Sequence, residues 1–231
     1  QAALEAFRRA LERLADLPDD ERARELRARI RESIGDVLEL GGSHDEAVDS
    51  FEEALADRTP DERLARGRLL RKAGASRQIQ RRREDAVELF DRAVEELGPP
   101  PSPSSQEWDE ERAAVELGRI MLQYFTSTPD VLVEQIERSA PIVEARGTAL
   151  QRALLFNSMA LLGLRRERYV ASARTVEHAR AGYEAALGVE PRLEVADVRF
   201  VYAFSLLWAG RLEESERQLR ELRVAAPRIA A

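Results

Sequence analysis

The 231-residue sequence contains no cysteine, which excludes disulfides, thiolate metal sites and a cysteine nucleophile. A reducing compartment fits that absence, and the chain is read as cytoplasmic. Lysine is nearly missing as well. Lys72 stands alone and arginine supplies the other basic residues, a bias associated with GC-rich bacterial genomes. Aromatic residues make up only 6%. No apolar run approaches the roughly 20 residues of a membrane-spanning helix, and no basic-then-apolar leader is present. Alternating runs of β-branched residues are also lacking, so no strand is expected. Acidic residues outnumber basic ones by 43 to 36, a net charge of -7, which argues against a general nucleic-acid binder.

What is present is helix-forming. Ala, Leu, Glu and Arg dominate, with 44% hydrophobic and 34% charged residues. The stretch from Arg31 to Pro60 reads as two amphipathic helices around a Gly41-Gly42 turn. Ile34, Gly35 and Leu38 lie on the first, and Ala47, Phe51 and Ala54 line one face of the second. Asp19 or Asp20 is a candidate N-cap for the first helix, and Ser43 with Glu46 has the spacing of a capping box for the second. The same spacing recurs at Ala3, Phe7 and Ala10, and at Ala86, Phe90 and Ala93, the latter preceded by Leu70, Ala73 and Gly74.

A helix pair cannot bury both apolar faces alone, so such pairs stack. The expected order is a second helix over 1–18 and pairs over 20–58 and 61–97. A Pro-rich loop follows over 98–106, then looser pairs over 107–146, 147–187 and 192–224. Pro141 predicts a kink or an early end near 137–140. In the two last pairs the second helices carry Ser172, Val176 and Ala179, and Ser215, Leu219 and Leu222, at the Ala-Phe-Ala spacing. Because residue 1 is Gln and the chain opens on a second helix, the sequence is read as a piece of a longer protein with a single repeat domain over 1–231.

These residues resemble the tetratricopeptide repeat, with its Trp-x2-Leu-Gly-x2-Tyr, Ala-x3-Phe and Pro positions. Here they read Arg31-x2-Ile34-Gly35-x2-Leu38, Ala47-x3-Phe51 and Pro60, then Leu70-x2-Ala73-Gly74-x2-Arg77 and Ala86-x3-Phe90. Trp and Tyr are replaced, and the repeats are longer than 34 residues. The resemblance implies an all-α fold of αα-hairpins stacked as a right-handed superhelix, like the repeat arms of large bacterial regulators. It also implies a concave groove lined by the first helix of each pair. Arg29, Glu32, Asp36, Glu39, Arg68, Arg71, Gln78, Asn157, Leu161, Phe200 and Phe204 are placed there.

The function implied is non-catalytic protein–protein interaction, with a partner peptide or effector domain in the groove. The runner-up is a small-molecule sensor with an apolar pocket in the C-terminal repeats. Self-association through exposed terminal faces stays open. From Arg63 to Arg83 there are nine basic residues and no acidic one, a candidate dock for an acidic peptide or phosphate. The plainer reading is that these side chains pair with acidic neighbours. No catalytic residue, cofactor or metal site is assigned. His44 and His178 lack a second ligand at metal spacing, Gly41-Gly42 lacks the Lys-Ser/Thr of a phosphate loop, and no Ser/His/Asp arrangement stands out. Trp108 and Trp208 are read as packing or cap residues.

Overall fold

A computed structural model describes residues 2–16, 18, 20–190 and 192–229, with side chains as far as residue 225. Among them are eleven helices and no strand. By contacts the chain divides into two units, Gln1–Leu122 and Gln123–Ala231.

The N-terminal unit holds α1 (Ala2–Ala15), α2 (Glu21–Leu40), α3 (His44–Ala56), α4 (Arg63–Ile79), α5 (Arg83–Leu97) and nearly all of α6 (Gln106–Gln123). Asp20 caps α2, its Oδ1 accepting from the Ala23 amide at 2.8 Å, while Asp19 lies outside the described residues. The turn into α3 runs through Gly42 at φ +78°, a conformation that favours glycine. Ser43 occupies the N-cap without a side-chain hydrogen bond; its ψ of 61° is not the extended backbone that aims a cap at the helix.

Small residues let the helices of a pair cross closely. Ala47, Ala54, Ala86 and Ala93 are fully buried. Phe51 lies on Gly35, where an added Cβ would come within 2.4 Å of its ring. Phe90 is held between two glycines: a Cβ on Gly74 would approach the ring to 2.8 Å, and one on Gly118 of α6 to 2.3 Å. The ring thus joins one pair to the next helix along. Ile34, Leu38, Leu70, Trp108, Val115 and Leu122 complete this core, with Phe7 and Ala10 of α1 partly buried against it.

The C-terminal unit holds α7 (Pro129–Arg146), α8 (Ala149–Arg166), α9 (Ala173–Ala186), α10 (Leu193–Trp208) and α11 (Leu212–Ile229). Helix α7 continues through Pro141 instead of ending there. Proline removes one hydrogen bond to the carbonyl of Glu137, but both residues are exposed, so water reaches that carbonyl. Buried Ile136, Ser139 and Val143 hold the helix from its other side. Thr148 and Gln151 form a reciprocal capping box at the start of α8.

In this unit the expected register shifts. A Cβ on Gly163 would meet the Thr175 hydroxyl at 2.3 Å, so Thr175, not Ser172, stands at the crossing of α8 and α9. Ser172 instead caps α9, its hydroxyl accepting from the Thr175 amide. At the next crossing the Ser215 hydroxyl donates to the Ala203 carbonyl at 2.7 Å, so Ser215 has the place expected for it.

Candidate interaction surface

Two contacts twelve residues apart, Gly163 with Thr175 and Ala203 with Ser215, match the Gly35 to Ala47 spacing of the first pair and give a common ruler. Counted from these, Glu32, Asp36 and Glu39 on α2 correspond to Arg71, Ala75 and Gln78 on α4. They correspond to Ala160, Leu164 and Glu167 around α8, and to Phe200, Phe204 and Leu207 on α10. The same helix face therefore has a different fate in each pair.

On α2 and α4 it is closed by ion pairs. Arg68 Nε lies 2.9 Å from Glu32 Oε1. Lys72 Nζ lies 2.8 Å from the same oxygen and 2.7 Å from Asp36 Oδ1. The Ser76 hydroxyl donates to Glu39 Oε1 at 3.1 Å, and Arg71 pairs with Glu111 of α6. The basic run is likewise answered elsewhere: Arg66 by Glu96, Arg77 by Asp45 and Arg82 by Asp85. A concentrated positive patch does not result, because Arg66, Arg68, Arg71, Lys72 and Arg77 each meet a carboxylate from another helix and Arg82 meets one in its own turn. Arg29 and Gln78 remain exposed at the margin.

Burial raises the Glu32 carboxyl, but hydrogen bonds and charge from Lys72 and Arg68 outweigh it and hold the group below its ordinary range. A lowered folded-state value means that the stabilisation is present above the unfolded value and is lost as pH falls through the folded one. Glu32→Gln should therefore lower the denaturant midpoint of the N-terminal unit at pH 7, and the loss should shrink steadily as pH falls below the ordinary carboxylate range. A loss that does not change with pH would contradict this.

On α8 the face is covered from within the chain. Ala160 and Leu164 are fully buried in one cluster with Val201, Tyr202 and Leu206 of α10. Asn157, expected in an open groove, is only 1% exposed, with its backbone nitrogen near Gly182 of α9. With a methyl group at Ala160 and no side chain at Gly182, the neighbouring helices pack closely over it. Leu161 is partly buried at the edge of the α8–α10 cluster.

On α10 the face is open. Phe200 is 49% exposed and Trp208 45%, with Leu193 and Leu207 exposed beside them. Phe200 stacks on Phe204 with ring centroids 5.8 Å apart, and Phe204 meets Trp208 edge-on at the same distance. Tyr169, from the turn after α8, extends the row to a fourth ring at 5.9 Å from Trp208. The sequence reading named Phe200 and Phe204 for this face and did not name Leu193, Leu207 or the exposure of Trp208. Their signal was available: from Phe200 to Trp208 α10 carries no charged residue on any side, more apolar surface than one buried face requires. Trp108, in contrast, is a packing residue, buried with its Nε1 donating to the Leu97 carbonyl at 3.4 Å.

Among the described residues no group of three or more His, Asp or Glu could hold a metal ion, and no helix is long and apolar enough to cross a membrane. An apolar cavity of about 180 Å³ lies among α9, α10 and α11, lined by Tyr183, Leu187, Val195, Arg199 and Leu222.

No family model and no curated protein matches the chain. Solved structures do. The chain is similar to BtubC (BKLC) from P. vanneervenii, with a TM-score of 0.69 and 12% identity over 98% of this chain and 90% of that one. It is also similar to the nearly identical TPR-like repeats of a putative kinesin light chain from Podosopora anserina, with a TM-score of 0.55 and 15% identity over 88% and 97%. At such identities the likeness is one of fold, and it is the TPR-like fold of stacked helical repeats.

Proposed function

We propose that the chain is a non-catalytic interaction scaffold or regulatory arm that holds a protein or peptide partner against the first-helix faces. The open face of α10 is the contact surface. The observation that carries this reading is the contrast at equivalent positions: ion-paired on α2, buried on α8, exposed and aromatic on α10. Large exposed apolar patches rimmed by polar residues mark interaction sites, and aromatic anchors dominate binding energy at such sites. The arginine-rich, lysine-poor composition and the resemblance to regulator arms support a bacterial, cytoplasmic, signalling setting. The acidic balance disfavours nucleic acid as the partner.

The sensor reading rests on the cavity beside α11. At about 180 Å³ it is smaller than the roughly 300–1,000 Å³ of most ligand pockets, which ranks it second. Affinity purification from lysate tests the first reading. Phe200→Asp with Phe204→Asp should remove the partners that the unaltered chain retains, a loss of more than about thirtyfold in affinity if each ring contributes as an interface anchor. Phe204 is partly buried against the α8–α10 cluster, so Phe200→Asp alone, at the 49% exposed ring, is the companion variant: it should keep the helical circular dichroism signal and still lose most of the recovery. Undiminished recovery of the same partners would sink the proposal.

A further inference from the structure

A second surface lies at the other end of the chain's helix series, between α1 and α2. Ala6, Arg9, Ala10 and Arg13 of α1 and Leu26 and Ile30 of α2 line a trough of about 570 Å³. Ala3 and Ala6 are exposed, Phe7 and Ala10 are partly buried, and Leu26 is 43% exposed.

The chain itself shows what fills such a trough. Residues of α1 correspond to those of α3 forty-four positions later: Ala3, Phe7 and Ala10 to Ala47, Phe51 and Ala54. On α3 that face is at most 1% exposed, because α2 lies across it. Two acidic residues flank the α3 face and receive arginines from α2. Arg31 Nε lies 3.1 Å from Glu53 Oε2, Arg31 Nη1 lies 2.5 Å from Asp57 Oδ2, and Arg27 Nε lies 3.5 Å from Asp57 Oδ1. The next pair repeats the device with Arg66 and Glu96. On α1 the corresponding positions are Arg9 and Arg13. The charge sign is reversed, and neither arginine makes an ion pair among the described residues.

We propose that this trough docks an amphipathic α-helix of a partner protein. Its apolar strip lies on Ala6, Phe7 and Ala10, and its two acidic residues, four apart, meet Arg9 and Arg13. The helix sits on α1 as α2 sits on α3, with the charges exchanged. The apolar floor supplies affinity through burial, and the two guanidinium groups select an acidic helix over a basic one. This surface is separate from the α10 stripe, and neither proposal depends on the other.

The test uses a synthetic peptide of the α2 sequence, Glu21–Leu40, carrying Arg27→Glu and Arg31→Glu, with the unaltered α2 peptide as its control. Binding of each to the full chain is followed by fluorescence anisotropy, and peptide helicity by circular dichroism. The altered peptide should bind about tenfold more tightly than the control, since two attractions replace two repulsions, and should gain helix on binding. General electrostatics run the other way, because the whole chain is acidic. In the chain variant Arg9→Glu/Arg13→Glu the preference should invert. Ala6→Trp, which fills the trough from an exposed position, should weaken the altered peptide. Equal affinity of the two peptides, or a preference that survives reversal of Arg9 and Arg13, overturns the proposal.

Discussion

Phe90→Ala should destabilise the N-terminal unit by about 3–5 kcal/mol, the range for deleting a fully packed aromatic side chain. Phe90 is 2% exposed and touches two different helices at positions kept empty for it, Gly74 on its own pair and Gly118 on α6. With the ring gone, neither glycine can supply atoms to close the void. Stability in stacked repeats is approximately a sum of within-repeat and between-repeat terms; this substitution removes part of both. Urea unfolding followed by circular dichroism should show the loss, and native-state hydrogen exchange should show α6 losing protection together with α4 and α5. A cost below about 1 kcal/mol would mean that the helices are not held together by this ring.

The second large effect is electrostatic. Glu116→Ala should cost about 2–3 kcal/mol, somewhat under the full penalty for breaking a buried ion pair, because its arginine partners retain some solvent. The Glu116 side chain is 3% exposed and is held by Arg112 at 2.7 Å and Arg119 at 3.2 Å. Arg119 also reaches Asp91 of α5 at 2.9 Å, so Glu116 orients the arginine that ties α6 to the preceding pair. Glu116→Gln keeps an acceptor and the volume and should cost less. Thermal unfolding of both variants separates the two contributions, and equal losses would show that packing, not charge, is what Glu116 supplies.

The repeats that were readable in the sequence are those in which one residue type alone satisfies the geometry. Ala47, Ala86 and Ala93 sit where helices cross without room for a larger side chain, and Phe51 and Phe90 fill the gaps opposite glycine. Such positions leave a spacing that survives changes everywhere else. The α8–α9 pair lost it, because Thr175 stands opposite Gly163 where the earlier pairs carry alanine, and Ala179 stands where they carry phenylalanine. Ser172 then imitates a packing position while serving as a cap.

The candidate surface was harder to read because its meaning depends on what lies across from it. Glu32 and Phe200 occupy equivalent positions, but only the structure shows Arg68 and Lys72 answering the first while no described helix covers the second. One clue was present. Arg68 and Lys72 follow Glu32 and Asp36 by about one repeat length, the separation at which charges on successive first helices meet.

The central claim is that partners engage the open face of α10 and not the ion-paired face of α2 and α4. A photo-crosslinking amino acid placed at position 204, and in a separate preparation at position 68, tests it most directly. Irradiation in lysate followed by mass spectrometry should capture a partner protein covalently from position 204 and little from position 68. Capture from position 68 with none from position 204 would contradict the account.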